Sequence, residues 1–252
     1  MCMEEFDKMK LIISEVRRNM QSVGVDGCKA GWFAVSIYDY DKWEFRVCKS
    51  IEELCRQYTE ADIVLIDIPI GLKDSGIQER LCDLEARKML GPGRRSSVFP
   101  VPCRQAVYSQ TYYEANQINK KILGRGLPQQ TWGIVPKIRE VDSFLVNNDC
   151  IKNKLVESHP EVCFYALCGR PMQYSKKCRN GVNERITVLR RIYQNTDEVI
   201  NFALNNYRRK ELALDDILDA LCLAVSGLQG LKKGFSVIPQ KPEKDLKGLD
   251  MK

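Results

Sequence analysis

The stretch IVLID at residues 63–67 is a short apolar run that closes on a carboxylate, Asp67. A run of this length, rich in β-branched residues and followed by a proline and a glycine, is typical of a buried strand. A second run, SVGVD at residues 22–26, closes on Asp26 in the same way. A buried charge needs a partner ion or a metal, so both aspartates are candidate site residues. For Asp26, an aspartate–glycine turn is an equally good explanation, and for Asp67 the alternative is a position at the surface edge of the sheet, although an aspartate that closes such a run favours a functional role.

The segments beside these runs predict one mixed sheet. Residues 32–38 and 43–47 follow the first run through short turns, and strands joined in this way form an antiparallel meander. The sequence SIEE at residues 50–53 has the pattern of a helix capping box, so a helix separates the third strand from the run at 63–67. Such a strand–helix–strand unit predicts a parallel, right-handed crossover, which makes the two aspartate-bearing strands neighbours.

The remainder of the chain completes an α/β fold, with a mixed five-stranded sheet and helices on both faces. We expect the fifth strand at residues 154–157. The pattern of apolar residues predicts helices over 78–90, 105–123, 134–148, 184–193, 197–207 and 214–229. These elements predict a single domain at 22–230 with a helical insertion at about 77–150. An N-terminal extension with helical character is expected at 1–21, and a polar, disordered tail at 231–252.

Composition narrows the class of protein. Of 252 residues, 44% are hydrophobic and 29% are charged, which fits a globular protein able to bury a sizeable core. The net charge of +6 favours an anionic partner such as nucleic acid or a nucleotide, but a solvated basic tail explains it equally well. The 11 cysteines include no CxxC pair and no signal peptide accompanies them, so we expect a reducing, cytoplasmic environment rather than a disulfide framework. No apolar stretch approaches the roughly 20 residues that span a bilayer, so no membrane partner is expected.

A third acidic segment lies at the start of the predicted helix 214–229. Asp216 and Asp219 are three residues apart and therefore share one helix face. We expect Asp215 to be the N-cap, and the helix dipole is also an explanation for Asp216. Asp219 is embedded among apolar residues, where capping does not explain it. If this helix packs against the two strands, four carboxylates converge at one edge of the sheet, and such oxygen ligands suit Mg²⁺ or Mn²⁺.

Two further residues are candidates for a supporting role. Glu157 and His159, the single histidine of the chain, lie two apart and would face the same side of the fifth strand. A lone histidine is often structural, but nearby acids also favour a role in orienting a ligand or contacting substrate.

Basic residues near the acidic runs are candidates for binding phosphate. Lys29 lies in the turn after the first strand, and Arg94 and Arg95 lie in a loop rich in glycine and proline. Lys176 opens a second basic group that extends to Arg191, for which solvated helix faces are the alternative. Three aromatic residues could stack on bases, although core packing explains them better: Phe99, Tyr108 and Trp132.

Taken together, these motifs resemble a known family. VDGCKAGW at 25–32, IDIPIGL at 66–72, ESHPE at 157–161 and DILDA at 216–220 are similar to motifs of the domain-of-unknown-function family 429, and RSSVFP at 95–100 resembles a loop of that family. The resemblance covers roughly residues 22–230. The family is described as predicted nucleases with a ribonuclease-H-like fold, so the resemblance implies that fold and nuclease activity.

A more distant similarity to Holliday-junction resolvases of the same fold suggests the chemistry. Their acids resemble Asp26, Asp67 and the pair Asp216 and Asp219, although those enzymes have a glutamate where Asp67 stands. The similarity implies that Asp26 bridges two Mg²⁺ or Mn²⁺ ions, that the other aspartates complete their shells, and that Glu157 supports the site. Two such ions can hydrolyse a phosphodiester bond.

Two other classes of function stay open from the sequence. A non-catalytic nucleic-acid-binding or scaffold protein would keep the same fold without the reaction. An ATP-dependent phosphotransferase of the actin-like type would need a second glycine-rich phosphate loop after a later strand, and no segment clearly matches one. The sequence also leaves open the oligomeric state and the substrate among DNA, RNA, branched junctions and nucleotides.

Overall fold

The computed structural model describes residues 20–39 and 42–252. Apart from its last two positions, the extension predicted at 1–21 lies outside these residues. Within the described residues, a five-stranded sheet consists of β1 Gln21–Cys28, β2 Gly31–Tyr38, β3 Lys42–Cys48, β4 Ile63–Ile66 and β5 Leu155–Glu157.

The same part of the chain contains nine α-helices. They are α1 Ile51–Gln57, α2 Leu81–Arg94, α3 Arg104–Val107, α4 Tyr112–Leu123, α5 Gln129–Val146, α6 Pro160–Cys168, α7 Arg179–Ile192, α8 Thr196–Asn206 and α9 Leu214–Lys233. The helix predicted at 105–123 is split into α3 and α4, and α5 begins earlier than its predicted start. None of the helices described is long and apolar enough to cross a membrane.

The order across the sheet is β3-β2-β1-β4-β5. β2 pairs in antiparallel with both β1 and β3, whereas β4 pairs in parallel with β1 and β5. The predicted crossover is α1, which begins where the hydroxyl of Ser50 accepts the N–H of Glu53 at 3.1 Å. The mixed α/β class, the five strands and the antiparallel start of the sheet are confirmed.

Side chains that alternate along the strands build two layers of core, one on each face of the sheet. Val23 and Val25 of β1 pack with apolar residues of α1 and α5. Phe33 and Val35 of β2 pack on the opposite face with residues of α6, α7, α8 and α9. Helices therefore cover both faces, as expected for an α/β fold whose strands are continuous apolar runs.

The 20-residue helix α9 lies directly on β1. A Cβ on Gly24 would overlap the backbone of Ala220, and a Cβ on Gly227 would overlap the side chain of Ser22. These contacts show that α9 runs antiparallel to β1, so the start of the helix lies near the end of the strand. Asp26 shares a strand face with Gly24 and therefore faces the first turns of α9.

The C-terminal residues differ from the disordered tail predicted at 231–252. The strand β6 Glu243–Lys244 pairs in antiparallel with β7 Asp250–Met251. Leu249 and Met251 are each only 2% exposed. The prediction of a disordered tail is wrong for this segment. It rested on the polar composition, whereas two apolar side chains, Leu249 and Met251, are buried.

One carboxylate of the tail also enters the body of the protein. Asp245, whose side chain is fully buried, pairs with Arg104 and accepts the N–H of Leu72 at 3.1 Å. Arg104 in turn donates to both carboxylate oxygens of Asp142 on α5 at 2.7 and 2.6 Å. The tail is thus attached to the loop that follows β4 and to the helices inserted after it.

Cysteines in the described part of the chain are unpaired. Of ten such residues, seven are buried: Cys28, Cys48, Cys55, Cys82, Cys103, Cys163 and Cys222. All of them except Cys82 belong to the hydrophobic core clusters, where cysteine packs as a small apolar side chain.

Candidate functional site

Asp26 and Asp67 lie side by side at one edge of the sheet. In the parallel pairing of β1 with β4, Val25 is opposite Ile66, and the N–H of Asp67 donates to the carbonyl oxygen of Val25 at 2.9 Å. The strand β1 extends two residues past Asp26, to Cys28, so Asp26 lies inside the strand rather than at its end. The two apolar runs nevertheless bring their carboxylates together, as the parallel crossover predicts.

The helix α9 brings a third carboxylate to this edge. Asp219, 1% exposed, directly precedes Ala220, whose backbone touches Gly24. Among the described residues, Asp26, Asp67 and Asp219 each offer an oxygen that lies within 4.8 Å of the other two. We call these three residues the carboxylate cluster.

Burial raises the pKa of all three acids, and repulsion from other acids of the cluster adds to this shift for Asp26 and Asp219. Burial, and then the charges of Asp67 and Asp219, raise the pKa of Asp26 well above its usual value. Burial also raises the pKa of Asp67, and together with the charge of Asp67 it raises the pKa of Asp219 to about 6. A cation at the cluster would favour the charged forms, so the electrostatics are those of a site that can hold one.

Asp216 does not join the carboxylate cluster. Its carboxylate accepts the N–H of Ala213, the N-cap of α9, at 3.0 Å. The prediction that Asp215 is the N-cap is therefore wrong, because the helix begins earlier and Asp216, its third residue, reaches back to the cap. Burial is the larger cause of the raised pKa of Asp26, but the charge of Asp216 adds to it, so Asp216 lies within electrostatic reach of the cluster.

Glu161, in the first turn of α6, is a fourth acid near the cluster. It is 5% exposed, and its Oε1 accepts a hydrogen bond from the fully buried Arg185. Its Oε2 is buried without a hydrogen-bond partner in the part of the chain that the structure describes. After burial, its charge contributes to the raised pKa of Asp67 and Asp219. The sequence gives no separate signal for Glu161, because glutamate is common in the first turn of a helix.

Lys176 lies against the carboxylate cluster. Its Nζ donates to Oδ2 of Asp219 at 2.5 Å and lies 3.8 Å from the carboxylate of Asp215. The sequence predicts Lys176 as a phosphate ligand, whereas here it neutralises an acid. Arg185 of the same basic group is likewise paired with Glu161. Two of the predicted basic residues are thus engaged with carboxylates.

Glu157 supports the loop after β4 rather than the cluster itself. Its carboxylate accepts two hydrogen bonds from Arg80, at 2.6 and 2.8 Å, and the N–H of Ile70 at 2.7 Å. Arg80 is 2% exposed and also pairs with Asp83 at 2.6 Å. This buried network holds the residues that follow Asp67. The role predicted for Glu157 in supporting a metal site stays a prediction.

His159 is the N-cap of α6. Its Nδ1 accepts the N–H of Glu161 at 3.2 Å, so Nε2 carries the proton and donates to the carbonyl oxygen of Ser97 at 3.1 Å. The prediction that His159 shares a strand face with Glu157 is wrong, because β5 ends at Glu157 and the helix begins directly after the histidine. Burial dominates the pKa of Asp67, and His159 opposes that shift, which places the ring near the cluster.

The other predicted phosphate ligands lie on the exterior of the protein. Lys29 is exposed in the turn between β1 and β2. Arg94 is half-buried at the end of α2, and Arg95 is exposed in the 3₁₀ turn Arg95–Ser97 that follows. This turn reaches the site through the contact between Ser97 and His159.

The aromatic candidates for base stacking take part in packing. Phe99 and Trp132 pack against the core on the α5 side of the sheet. Tyr108 is 41% exposed, and its hydroxyl donates to Asp142 at 2.9 Å. For Phe99 and Trp132 the structure favours the core explanation.

Lys137 on α5 lies beside β1 although it was not a candidate from the sequence. Its Nζ donates to the carbonyl oxygen of Gly31 at 2.6 Å and lies 4.1 Å from the ring centroid of Trp32. A Cβ on Gly27 would lie 2.8 Å from its Cδ. Burial lowers the pKa of Lys137, and the charge of Asp26 opposes that shift. No local pattern predicts this position, since Lys137 is 106 residues from its hydrogen-bond partner.

Comparison with known proteins agrees with the resemblance of the motifs. No curated protein and no solved structure matched the chain. One family model matched residues 24–244, a range that includes the carboxylate cluster and Lys176. The chain therefore belongs to the family described as "Protein of unknown function (DUF429)".

Proposed function

We propose that this protein is a metal-dependent nuclease that hydrolyses phosphodiester bonds at the carboxylate cluster. The observation that carries the proposal is the convergence of Asp26, Asp67 and Asp219, which offer oxygens within 4.8 Å of one another at one edge of the sheet. Three acids forced together in this way oppose folding, which is a common property of sites kept for binding or catalysis.

The ligands fit Mg²⁺ or Mn²⁺. The cluster consists of aspartates, and hard oxygen ligands of this kind favour these ions over zinc. Asp26, Asp67 and Asp219 would hold the metal. The Oε2 of Glu161, which has no hydrogen-bond partner among the described residues, adds a further buried oxygen near them. His159 is engaged as a helix cap, which suits a role in orienting the site rather than in binding metal.

The proposal takes the fold to be ribonuclease-H-like. Its support is the strand order β3-β2-β1-β4-β5, with antiparallel pairing in the first three strands and parallel pairing beyond them. In the Holliday-junction resolvases that the motifs resemble, the last acid of the site comes from a late helix, and in this protein α9 carries Asp219.

The proposed reaction divides the work between metal and protein. When bound, divalent ions would activate water and polarise the phosphate as Lewis acids. Asp26 and Asp67, held by adjacent strands, fix the position of the site. The exposed Lys29 and Arg95, and the half-buried Arg94, would bind the flanking phosphates of a nucleic acid.

Cleavage assays with purified protein test the proposal. We expect Mg²⁺- or Mn²⁺-dependent cleavage of at least one of single-stranded DNA, duplex DNA, RNA, a branched junction and a nucleotide. Asp26→Asn should abolish it, whereas Asp149→Asn, at an exposed carboxylate on the 3₁₀ turn Asp149–Ile151, should leave it unchanged. Wild-type protein that cleaves none of these substrates with either ion contradicts the proposal.

Two other results would point to a different function. Affinity for nucleic acid that changes neither with metal nor with Asp67→Asn would indicate a non-catalytic binding protein. Binding of ATP in calorimetry, without cleavage of nucleic acid, would favour a phosphotransferase.

A further inference from the structure

Lys176 brings a positive charge into the carboxylate cluster. Its Nζ donates to Asp219 at 2.5 Å, and the side chain of Asp219 is only 2% exposed. Its charge also lowers the pKa of Asp26 and Asp67 against the larger effect of burial, so it acts on all three acids. This contact places an ammonium group at a position from which a cation could bind Asp219.

With Lys176 in place, the net charge of the ionised cluster matches the charge of one divalent ion. When all three are ionised, the cluster carboxylates carry three negative charges, and the ammonium group of Lys176 offsets one, which leaves two. Glu161 and Arg185 form a neutral buried pair beside them. The Oε2 of Glu161 is more than nine-tenths buried and has no hydrogen-bond partner among the residues described, so it is a free acceptor next to the cluster.

We propose that the ammonium group of Lys176 occupies one of two cation positions in the cluster, so that a second divalent ion binds only when Lys176 leaves Asp219. This inference rests on the proposed metal site and specifies how that site is filled. The protein then binds one ion with Lys176 in place. Both positions hold metal only after the lysine has moved.

The position of Lys176 in the fold allows such a movement. It lies in the segment 169–178 between α6 and α7, outside helices and strands, and its side chain is 36% exposed. Lysine has a long, flexible stem and binds phosphate as a point charge. A phosphate of the substrate at the mouth of the site can therefore draw the ammonium group away from Asp219 and admit the second ion together with the substrate.

Titration with Mn²⁺ tests this inference without reference to activity. Isothermal titration calorimetry should count one ion per chain for the wild type and two for Lys176→Met. Electron paramagnetic resonance of bound Mn²⁺ should show a coupled pair of ions only in the variant. Lys176→Arg, which keeps the charge, and Lys177→Met, at the next residue, should each bind one ion.

A second charge-removing variant keeps the test decisive if Lys176→Met fails to fold. Lys176→Gln retains a hydrogen-bond donor for Asp219 and should also bind two ions. Two ions in the wild type, or one ion in both charge-removing variants, overturn the inference even if the protein cleaves nucleic acid. If the wild type binds one ion and the charge-removing variants bind two, but the protein cleaves no substrate, the inference is supported and only the nuclease proposal is contradicted. A wild type that binds no ion contradicts both.

Discussion

The backbone N–H of Asp67 donates a 2.9 Å hydrogen bond to the carbonyl oxygen of Val25, the residue before Asp26. This bond continues the parallel pairing of β4 with β1 by one residue and sets the two carboxylates side by side. On the same strand, Gly24 lets α9 approach closely enough to bring Asp219 to them. Contacts of the backbone therefore impose the spacing of the cluster, as expected of a preorganised site.

We expect Asp26→Asn to stabilise the metal-free protein. The substitution removes a charge from a buried group whose pKa is raised by burial and by Asp67 and Asp219. Asparagine keeps an oxygen that can accept the N–H of Gly27, as Asp26 does at 2.6 Å. We expect a gain of about 1 kcal/mol, or about 3 °C in melting temperature for a chain of this size. Differential scanning calorimetry at neutral pH with a chelator measures this change.

Two controls define that experiment. Asp149→Asn, at a carboxylate that is 89% exposed, should leave the melting temperature unchanged. Excess Mn²⁺ should stabilise the wild type more than Asp26→Asn, because the variant has lost a ligand. A lower melting temperature for Asp26→Asn in chelator would mean that the charge stabilises the fold, which argues against a site kept for a cation.

Gly24→Ala should separate α9 from β1. The new Cβ would overlap backbone atoms of Ala220 and Ala224, which cannot move without shifting the helix. We expect a loss of about 3 kcal/mol in the free energy of unfolding, measured with urea, and weaker Mn²⁺ binding because Asp219 moves with the helix.

Gly133→Ala is the matched control for this substitution. Gly133 is exposed within α5, and a Cβ there would meet no atom of the described structure within 4 Å. Alanine should stabilise this helix by about 0.5–1 kcal/mol. Equal effects at the two glycines would show that the contact between β1 and α9 does not constrain the cluster.

The parts of the site that follow from short-range patterns are predictable from the sequence. The apolar runs before Asp26 and Asp67, and the capping signal at Ser50 between them, are enough to predict two adjacent parallel strands. Asp219 stands out because it lies among apolar residues, where a charge needs a partner. The position of Asp216 outside the cluster is not predictable in this way. Its spacing of three residues from Asp219 does not reveal that its carboxylate accepts the N–H of Ala213.

Contacts between distant segments account for what the sequence does not reveal. Lys137 lies beside β1 because α5, a helix more than half-way along the chain, packs there. Glu161 lies near the cluster because α6 packs against α9. The pairing of Lys176 with Asp219 joins a segment without regular structure to a helix, 43 residues apart. Such pairs carry no periodic signal, because only the tertiary fold makes them neighbours.

Asp245→Ala should destabilise the protein through the loop that follows β4. The substitution leaves Arg104 without one of its buried partners and removes the acceptor for the N–H of Leu72. Breaking a buried pair on one side costs about 3 kcal/mol or more. Unfolding in urea measures the loss, and hydrogen exchange should show faster exchange at Leu72.

Asp250→Ala is the comparison within the same tail. Asp250 pairs with Lys244 and Lys252, and its side chain is 31% exposed. Partly exposed pairs of this kind contribute about 1 kcal/mol or less. If Asp245→Ala and Asp250→Ala have the same small effect, the tail is not attached through Asp245.

The stability of the metal-free protein should fall as the pH rises from about 4 to about 7 relative to an Asp219→Asn variant. The pKa of Asp219 is raised from 3.8 to about 6, with burial as the largest cause. Because the folded protein holds this proton more tightly than the unfolded chain, the resulting stability is complete below the unfolded pKa and is lost as the pH passes the folded pKa. A shift of this size corresponds to about 3 kcal/mol.

Urea unfolding in chelator gives the free energy of unfolding of the wild type and of Asp219→Asn at each pH in this range. The difference between the two proteins isolates the effect of Asp219, because the other titrating groups are common to both. Mn²⁺ should reverse the trend for the wild type, because the ion binds the deprotonated carboxylates and its stabilisation grows as the pH rises. A difference between the two proteins that does not change with pH would mean that Asp219 is charged throughout, with Lys176 alone compensating it. The cluster would then be a closed ion pair with no need of a metal.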